Sequence, residues 1–513
     1  TKEFLMTTTS FQRAGAALCL AAGLILSGCS LAPDYRRPEM DIPENWNSTP
    51  CGNPTAEKGL EVRWWKRFHD PVLDRLVEET LLHNQNLAEA VAAVDQARAY
   101  LGMAQSRYFP TIAGSGQAGR ARYTDEDVEY WSGAGLSQLL TGLGNPTEGT
   151  DRVNSQVTLA LQAAWEIDLW GKVRNTSAAM REQVLASEAG QRGMMLSLAG
   201  QTASAYISLR SYDAQLAIAR RTLASREEAA KIYSSRYKVG VISELDYLRA
   251  LTEVDTVRAS LYTAQYQVAM AESALMVLTG RSPRDIFEAA PERGLEIDAM
   301  PDAPQLPVGL PSDLLERRPD LVAAEAMLKA ADFRIGAARA AWFPSISLTG
   351  QLGTQSTELD QLFNQTSKLW GFAGNISLPI LTFGRISGNV KASEAARRQA
   401  AAAYVLAVQK AFRDVRDALA VQDRTAHVVN ALESAVNRLR TATRLARLRY
   451  DNGYASYMDV LDAERSLFGA EIQLAGVRAA HLSSVIHVCM ALGGGWEEER
   501  AAADVKKTAP SGT

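Results

Sequence analysis

One stretch of this chain occurs twice. Arg449–Ala463 reads Arg-Tyr-Asp-Asn-Gly-Tyr-Ala-Ser-Tyr-Met-Asp-Val-Leu-Asp-Ala, and Arg236–Ala250 reads Arg-Tyr-Lys-Val-Gly-Val-Ile-Ser-Glu-Leu-Asp-Tyr-Leu-Arg-Ala. Each copy lies between long Ala/Leu/Arg-rich segments of helical period, so each reads as the turn of a helical hairpin. Gly453 supplies the left-handed residue that ends the first helix. Ser456 followed by Asp459 is a capping-box-like start for the second, with Asp in place of the usual Glu or Gln. The likeness extends outward. Tyr108-Phe109-Pro110-Thr111-Ile112 pairs with Trp342-Phe343-Pro344-Ser345-Ile346, and Leu169-Trp170-Gly171-Lys172 with Thr382-Phe383-Gly384-Arg385. A repeat this long is no solenoid, whose periods are far shorter. It is one architecture built twice, which limits what the 513 residues can form.

Each half reads as helix, Phe-Pro break, two alternating segments, Gly-Lys/Arg, long helix, turn, long helix. The alternation is of period two. Ile112, Gly114, Gly116 and Ala118 oppose Thr111, Ala113, Ser115 and Gln117; Val157, Leu159, Leu161, Ala163, Trp165 and Ile167 oppose Gln156, Thr158, Gln162, Glu166 and Asp168. In the second half Ile346, Leu348, Gly350 and Leu352 oppose Ser345, Ser347, Thr349 and Gln351, and Phe372, Gly374, Ile376, Leu378 and Ile380 oppose Asn375 and Ser377. These are strands with one wet face, each about as long as a tilted transmembrane strand. The alternative is a soluble pair of hairpins resting one face on helices. If the strands span a bilayer, four of them cannot close a barrel and open edges are forbidden in lipid, so several copies must pool them. Arg120–Arg152 reads as a long polar loop. The first helix is expected over roughly Val72–Arg107. Gly171–Tyr237 holds no proline, and roughly 65 helical residues rise about 100 Å; the alternative is a bundle kinked at Gly190, Gly193 and Gly200. Trp64-Trp65-Lys66-Arg67-Phe68 is expected to pack on the body.

The chain carries an address. Met6 is expected as the start, with Thr1–Leu5 as an upstream extension. Arg13 precedes the apolar run Ala14–Leu26, which is too short to span and closes on Leu26-Ser27-Gly28-Cys29. That pattern is a signal peptide resembling a bacterial lipobox, with Cys29 as the lipidated residue; an ordinary signal peptide with a chance Cys is the alternative. Ser30 after it resembles an outer-membrane address. No other run of about eighteen apolar residues is present, so no spanning helix is expected. Pro33, Pro38, Pro43 and Pro50 make an extended tether.

Bulk properties exclude other classes. A net charge of −4 gives no basic footprint for nucleic acid. The five His and four Cys form no metal-ligand cluster, and no Gly-x-Ser-x-Gly elbow exists. Cys51 and Cys489 are ordinary thiols or a disulfide. No enzyme and no cofactor other than covalent lipid is expected. The resulting organisation is 1–28 signal peptide with extension, 29–71 lipidated tether, 72–285 first repeat, 286–312 linker, 313–496 second repeat and 497–513 disordered tail.

The lipobox, Ala32-Pro33-Asp34-Tyr35, the run Gly309-Leu310-Pro311-Ser312-Asp313-Leu314-Leu315-Glu316-Arg317-Arg318-Pro319-Asp320, Phe343-Pro344 and the Tyr–Gly–Asp hairpins together resemble the TolC-like outer-membrane efflux proteins. The likeness is strongest to the lipoprotein branch associated with resistance–nodulation–division pumps, and it covers about Cys29 to Trp496. The resemblance implies a mixed α and β, mostly helical chain. It implies a homotrimer, four strands per chain forming a twelve-stranded outer-membrane β-barrel continued by a long periplasmic α-helical barrel. It further implies a passive exit duct for drugs or other small solutes, joined through a periplasmic adaptor to an inner-membrane transporter. A type I protein-secretion duct and a non-pore trimeric structural lipoprotein are the alternatives.

Carried onto this sequence, the resemblance places the periplasmic gate at Met458, Asp459 and Asp462. Asp459 and Asp462 share a helical face, and three copies of an Asp about an axis would bind a cation or repel anions. Asp459, like Asp246, is equally explained as a helix-capping residue, whereas Asp462 lies beyond the cap. Tyr450 matches a closed-state contact, expected to reach a neighbour's Asp246. A charged latch of some members falls at Ala455, which cannot pair, leaving Arg447 or Arg449 as stand-ins. Gly240, Val241, Ile242, Gly453, Tyr454 and Ala455 are the turn residues expected to meet the adaptor.

Overall fold

The computed structural model describes residues 31–43, 63–122, 153–301 and 314–494. The signal segment, Cys29, Cys51, the loop centre and the tail lie outside them. The elements run α1 (Pro71–His83), α2 (Gln85–Ser106), β1 (Thr111–Arg122), β2 (Val153–Ile167), α3 (Lys172–Lys238), α4 (Glu244–Leu278) and α5 (Pro283–Glu288). They continue with α6 (Leu314–Arg317), α7 (Pro319–Ala340), β3 (Ser345–Ser356), β4 (Lys368–Ser377), α8 (Arg385–Asp451) and α9 (Tyr457–Ala491). The duplication is metric: α2 and α7 both have 22 residues, α3 and α8 both 67, and α4 and α9 both 35.

Contacts gather into two compact units, each drawing on both repeats. The first holds the described residues up to Arg36 with Ala97–Val184 and Met327–Ala400. Its centre is an antiparallel sheet of order β1-β2-β3-β4. The register sets Gly114 opposite Leu161, Leu161 opposite Leu352 and Leu352 opposite Trp370. Because side chains alternate, this register gathers the apolar residues of all four strands on one face and leaves the Ser, Thr, Gln and Asn residues on the other. The apolar face is bare: Ile112, Leu161, Trp370, Phe372 and Ile376 are all exposed. Among the described residues no helix covers it, which speaks against the soluble-hairpin alternative.

The second unit holds Arg37–Gln96, Leu185–Ala326 and the described residues from Ala401 onward. Trp64, Trp65 and Phe68 are buried in its main core with Tyr206, Leu209, Leu275, Val485 and Ile486, so the aromatic run packs as expected. Asp70 is fully buried. It caps α1 through Val72 N (2.9 Å) and accepts from Tyr206 Oη (2.6 Å) and Leu295 N (3.0 Å). Ile297 and Met300 of the inter-repeat linker also reach this core.

Three expectations need correction and one is met. The first helix is two, because Asn84 adopts extended backbone angles, caps α2 through Asn86 N and donates to Leu278 O. The expectation of one long helix is met: α3 runs unbroken from Lys172 through Gly190, Gly193 and Gly200 to Lys238. At Gly200 a Cβ would lie 2.1 Å from Met490 Sδ, so the methionine side chain would have to move to admit one. β1 runs on to Arg122, while β4 ends at Ser377, three residues short of Ile380. Finally, α9 is long and apolar enough by composition to cross a membrane. Its apolar residues are instead core, with Leu474, Leu482, Val485 and Val488 buried. Cys489 beside them is a free thiol whose pKa burial pushes up to about 12.

Candidate functional site: the two hairpin ends

The two turns share a backbone. Gly240 and Gly453 adopt φ of 76° and 78°, and the next residue closes a six-residue ring, Val241 N to Arg236 O (2.9 Å) and Tyr454 N to Arg449 O (2.8 Å). Such a left-handed C′ residue satisfies the last carbonyls of the helix, and Gly adopts it without steric cost. Ser243 and Ser456 then start α4 and α9 as N-caps. The exposed side chains of Val241 and Tyr454 stand at the tips. Gly240 and Gly453 are exposed as well, whereas Ile242 and Ala455 are half-buried.

Their contents differ. In the second turn Asp459 Oδ2 accepts from Ser456 N (2.8 Å) and Ser456 Oγ (2.9 Å), completing the capping box. In the first turn Asp246 Oδ2 accepts from Ser243 Oγ (2.7 Å), and a second contact goes to Arg249 (3.6 Å). Asp459 is thus held as a cap. Asp462 is not: its side chain is 71% exposed and its one ion pair, with Arg465, spans 3.9 Å. Met458 is half-buried beside them.

Tyr450 is enclosed within its own chain. Its oxygen accepts from Tyr233 Oη and Arg236 Nη1, both at 2.7 Å. The Tyr457 ring packs 4.1 Å from Tyr233 and 5.7 Å from Tyr450. Burial and this hydrogen bond push the Tyr233 phenol well above its ordinary pKa, and burial raises that of Tyr457. Within one chain no hydrogen bond joins Tyr450 to Asp246. Arg447 binds Glu464 (2.6 Å) and Ser225 (3.2 Å), and Arg449 reaches Tyr454 O at 3.5 Å, so neither stands free as a latch.

Behind this cluster lies a set of buried charges. Arg226 is 4% exposed and pairs with Glu464, which also holds Arg447. Burial lowers the Arg226 pKa. Glu253, buried on α4, takes Arg465 of α9. Glu471 takes Arg440 (2.8 Å) and Arg221 (2.8 Å). These pairs tie α3, α4 and α8 to α9. A signal existed: Leu461, Glu464, Phe468, Glu471 and Ala475 follow the three-four spacing of one helical stripe, so these carboxylates occupy the core face. The arrangement has no nucleophile poised beside a base. It is a set of ion pairs and hydrogen bonds, an exposed Asp462 outside the cap, and two exposed tips, Val241 and Tyr454.

Comparison with known proteins assigns this architecture. The family model described as outer membrane efflux protein matches residues 76–281 and 310–494. The chain is 37% identical over 497 residues to the probable efflux pump outer membrane protein SepC of Pseudomonas putida, covering 94% of this chain and 97% of that protein. It is 32% identical to the cation efflux system protein CusC of Escherichia coli, covering 94% and 98%. The outer membrane channel CmeC of Campylobacter jejuni superposes with a TM-score of 0.84 at 26% identity, over 93% of this chain and 98% of that one. The chain therefore belongs to the outer membrane efflux protein family.

Proposed function

We propose that this protein works as a homotrimeric exit duct in the outer membrane, passing small solutes delivered by an inner-membrane resistance–nodulation–division transporter through a periplasmic adaptor. That it is an outer-membrane efflux component and not an enzyme follows from its family; the assembly is our reading. The observation that carries it is the sheet. Four strands present one continuous apolar face and, among the described residues, end in two unpaired edges, β1 and β4. Lipid tolerates an apolar face but not an open edge. Three copies pooling four strands each would close a twelve-stranded barrel. The wall would then alternate apolar outward and polar inward, as membrane barrels do. The test is sedimentation or native mass of the detergent-solubilised protein: a trimer supports the reading, and a stable monomer overturns it.

The remaining assignments follow the same reading. Lipid on Cys29 would tether the chain, and Cys29→Ser should then abolish palmitate labelling. Asp462, with Met458 beside it, would form the narrowest periplasmic ring; Asp459 would serve first as a cap. Val241, Ile242, Tyr454 and Ala455, with Gly240 and Gly453 shaping the turns, would meet the adaptor. Bulky charges placed there should abolish crosslinking to it, and unchanged crosslinking would refute the contact. Relatives named for toluene, antibiotic and cation efflux favour small solutes over secreted protein as cargo.

A further inference from the structure

The buried pairs behind the second hairpin enclose a cleft of about 400 Å³ between α3, α8 and α9. All of its lining belongs to one compact unit of one chain. Four guanidinium groups line it, those of Arg221, Arg226, Arg440 and Arg447, against two carboxylates, Glu464 and Glu471. The lining therefore carries an excess of positive charge. Leu467 and Phe468 of α9 add an apolar wall.

The two carboxylates are already occupied. Glu464 Oε2 takes Arg226, and its Oε1 takes Arg447 Nε at 2.6 Å. Glu471 Oε2 takes Arg221 Nη2 at 2.8 Å, and its Oε1 takes Arg440 Nε at 3.0 Å and Nη2 at 2.8 Å. A guanidinium carries five N–H donors in a planar fork, so two acids cannot satisfy four of them. The deficit is sharpest at Arg226. Its side chain is 4% exposed, yet among the described residues its Nε has no hydrogen-bond partner. A buried cation that is incompletely paired is costly. Glu253 nearby does not supply the missing acceptor, because it is held by Arg465 of α9.

We infer that this cleft binds a small organic oxyanion, a carboxylate or phosphate monoester carrying an apolar group. Guanidinium forks match such head groups with paired hydrogen bonds. The volume falls in the range of small-molecule sites and leaves room beside the head group for an apolar part against Leu467 and Phe468. The bound anion supplies the acceptors that Glu464 and Glu471 cannot, and it bridges α3 and α8 to α9. The site does not depend on the duct reading, since one chain builds it whole.

The test is titration calorimetry of the full-length, detergent-solubilised protein with phenyl phosphate at fixed ionic strength, with inorganic phosphate as the comparison. Saturable binding at one site per chain is expected, at least tenfold tighter for phenyl phosphate. Arg221→Gln and Arg440→Gln, each of which leaves Glu471 one arginine, should each weaken it at least fivefold. Thr222→Trp, which fills the cleft and leaves the ion pairs in place, should abolish it. Phe468→Ala should weaken phenyl phosphate and leave inorganic phosphate unchanged, and Arg413→Gln, on an exposed side chain outside the cleft, should alter neither. No saturable binding, or binding that Thr222→Trp and both arginine variants leave intact, overturns the site. Equal affinity for inorganic phosphate, unmoved by Phe468→Ala, overturns the organic ligand. A conducting trimer that binds no phenyl phosphate removes this site and leaves the duct standing.

Discussion

The two hairpin ends share a fold and differ in what holds them. Both turns place Gly at a left-handed position, close the same backbone ring and begin the next helix on Ser. At the first end Tyr237 stacks face to face on Tyr247 of its own hairpin, 5.2 Å between centroids. Val239, Val241, Leu245 and Leu248 around it are exposed. At the second end the matching tyrosine, Tyr450, is tied to Tyr233 and Arg236 of the first repeat's helix and packs on Tyr457. Glu464, where the first repeat has Leu251, adds a buried ion pair to Arg226. Duplication thus preserved the backbone device and let the side chains diverge. One end has an exposed apolar surface, and the other has polar ties that join the two repeats.

The comparison can be broken most severely at Glu464. Glu464→Ala leaves Arg226 buried without its partner, and stranding a buried charge costs about 3–5 kcal/mol. Truncating the half-buried Leu251 should cost less than the roughly 2 kcal/mol at which buried leucine truncations begin. Thermal unfolding followed by circular dichroism should therefore separate the two variants clearly; equal losses would make the charge network incidental.

Alkaline pH acts on the same end. An unfolded tyrosine ionises near pH 10, while Tyr233 and Tyr457 are held protonated to higher pH by burial. Their contribution is complete below about pH 10 and is lost as the pH rises through the folded values. Proteolysis or hydrogen exchange at the second hairpin should accelerate above pH 10 before it does at the first. Simultaneous loosening would contradict the asymmetry.

Removing one hydroxyl is a smaller perturbation. Tyr450→Phe strands the Tyr233 donor and should cost about 1–3 kcal/mol, raising pore conductance, whereas Tyr237→Phe should do neither. The smallest difference lies in the caps. Asp459→Ala loses the bond from Ser456 N that Asp246 does not make, so it should destabilise its helix by about 1 kcal/mol more than Asp246→Ala.

Local chemistry was legible in the sequence, and contacts between distant segments were not. The turns could be read because Gly240, Gly453, Ser243 and Ser456 act on their own neighbours. The strands could be read because one wet face imposes period two. The break at Asn84 was hidden because its amide is satisfied by Leu278 O, far along the chain. The early end of β4 was hidden because alternation continues past Ser377 while pairing does not. At the hairpin end, Asp459 as a cap was readable from Ser456. The roles of Glu253, Glu464 and Glu471 were missed because a carboxylate on a helix looks solvated until the arginines packed against it are known.

The most direct test of the duct is single-channel conductance in planar bilayers, comparing wild type with Asp462→Ala. Keeping Asp459 leaves the α9 cap intact, so the variant removes only the exposed acid. The account predicts small, cation-selective conductance in the wild type, and higher conductance or lost selectivity in the variant. Trimeric protein that forms no pore would contradict the duct, and pores unchanged by the substitution would remove Asp462 from the gate.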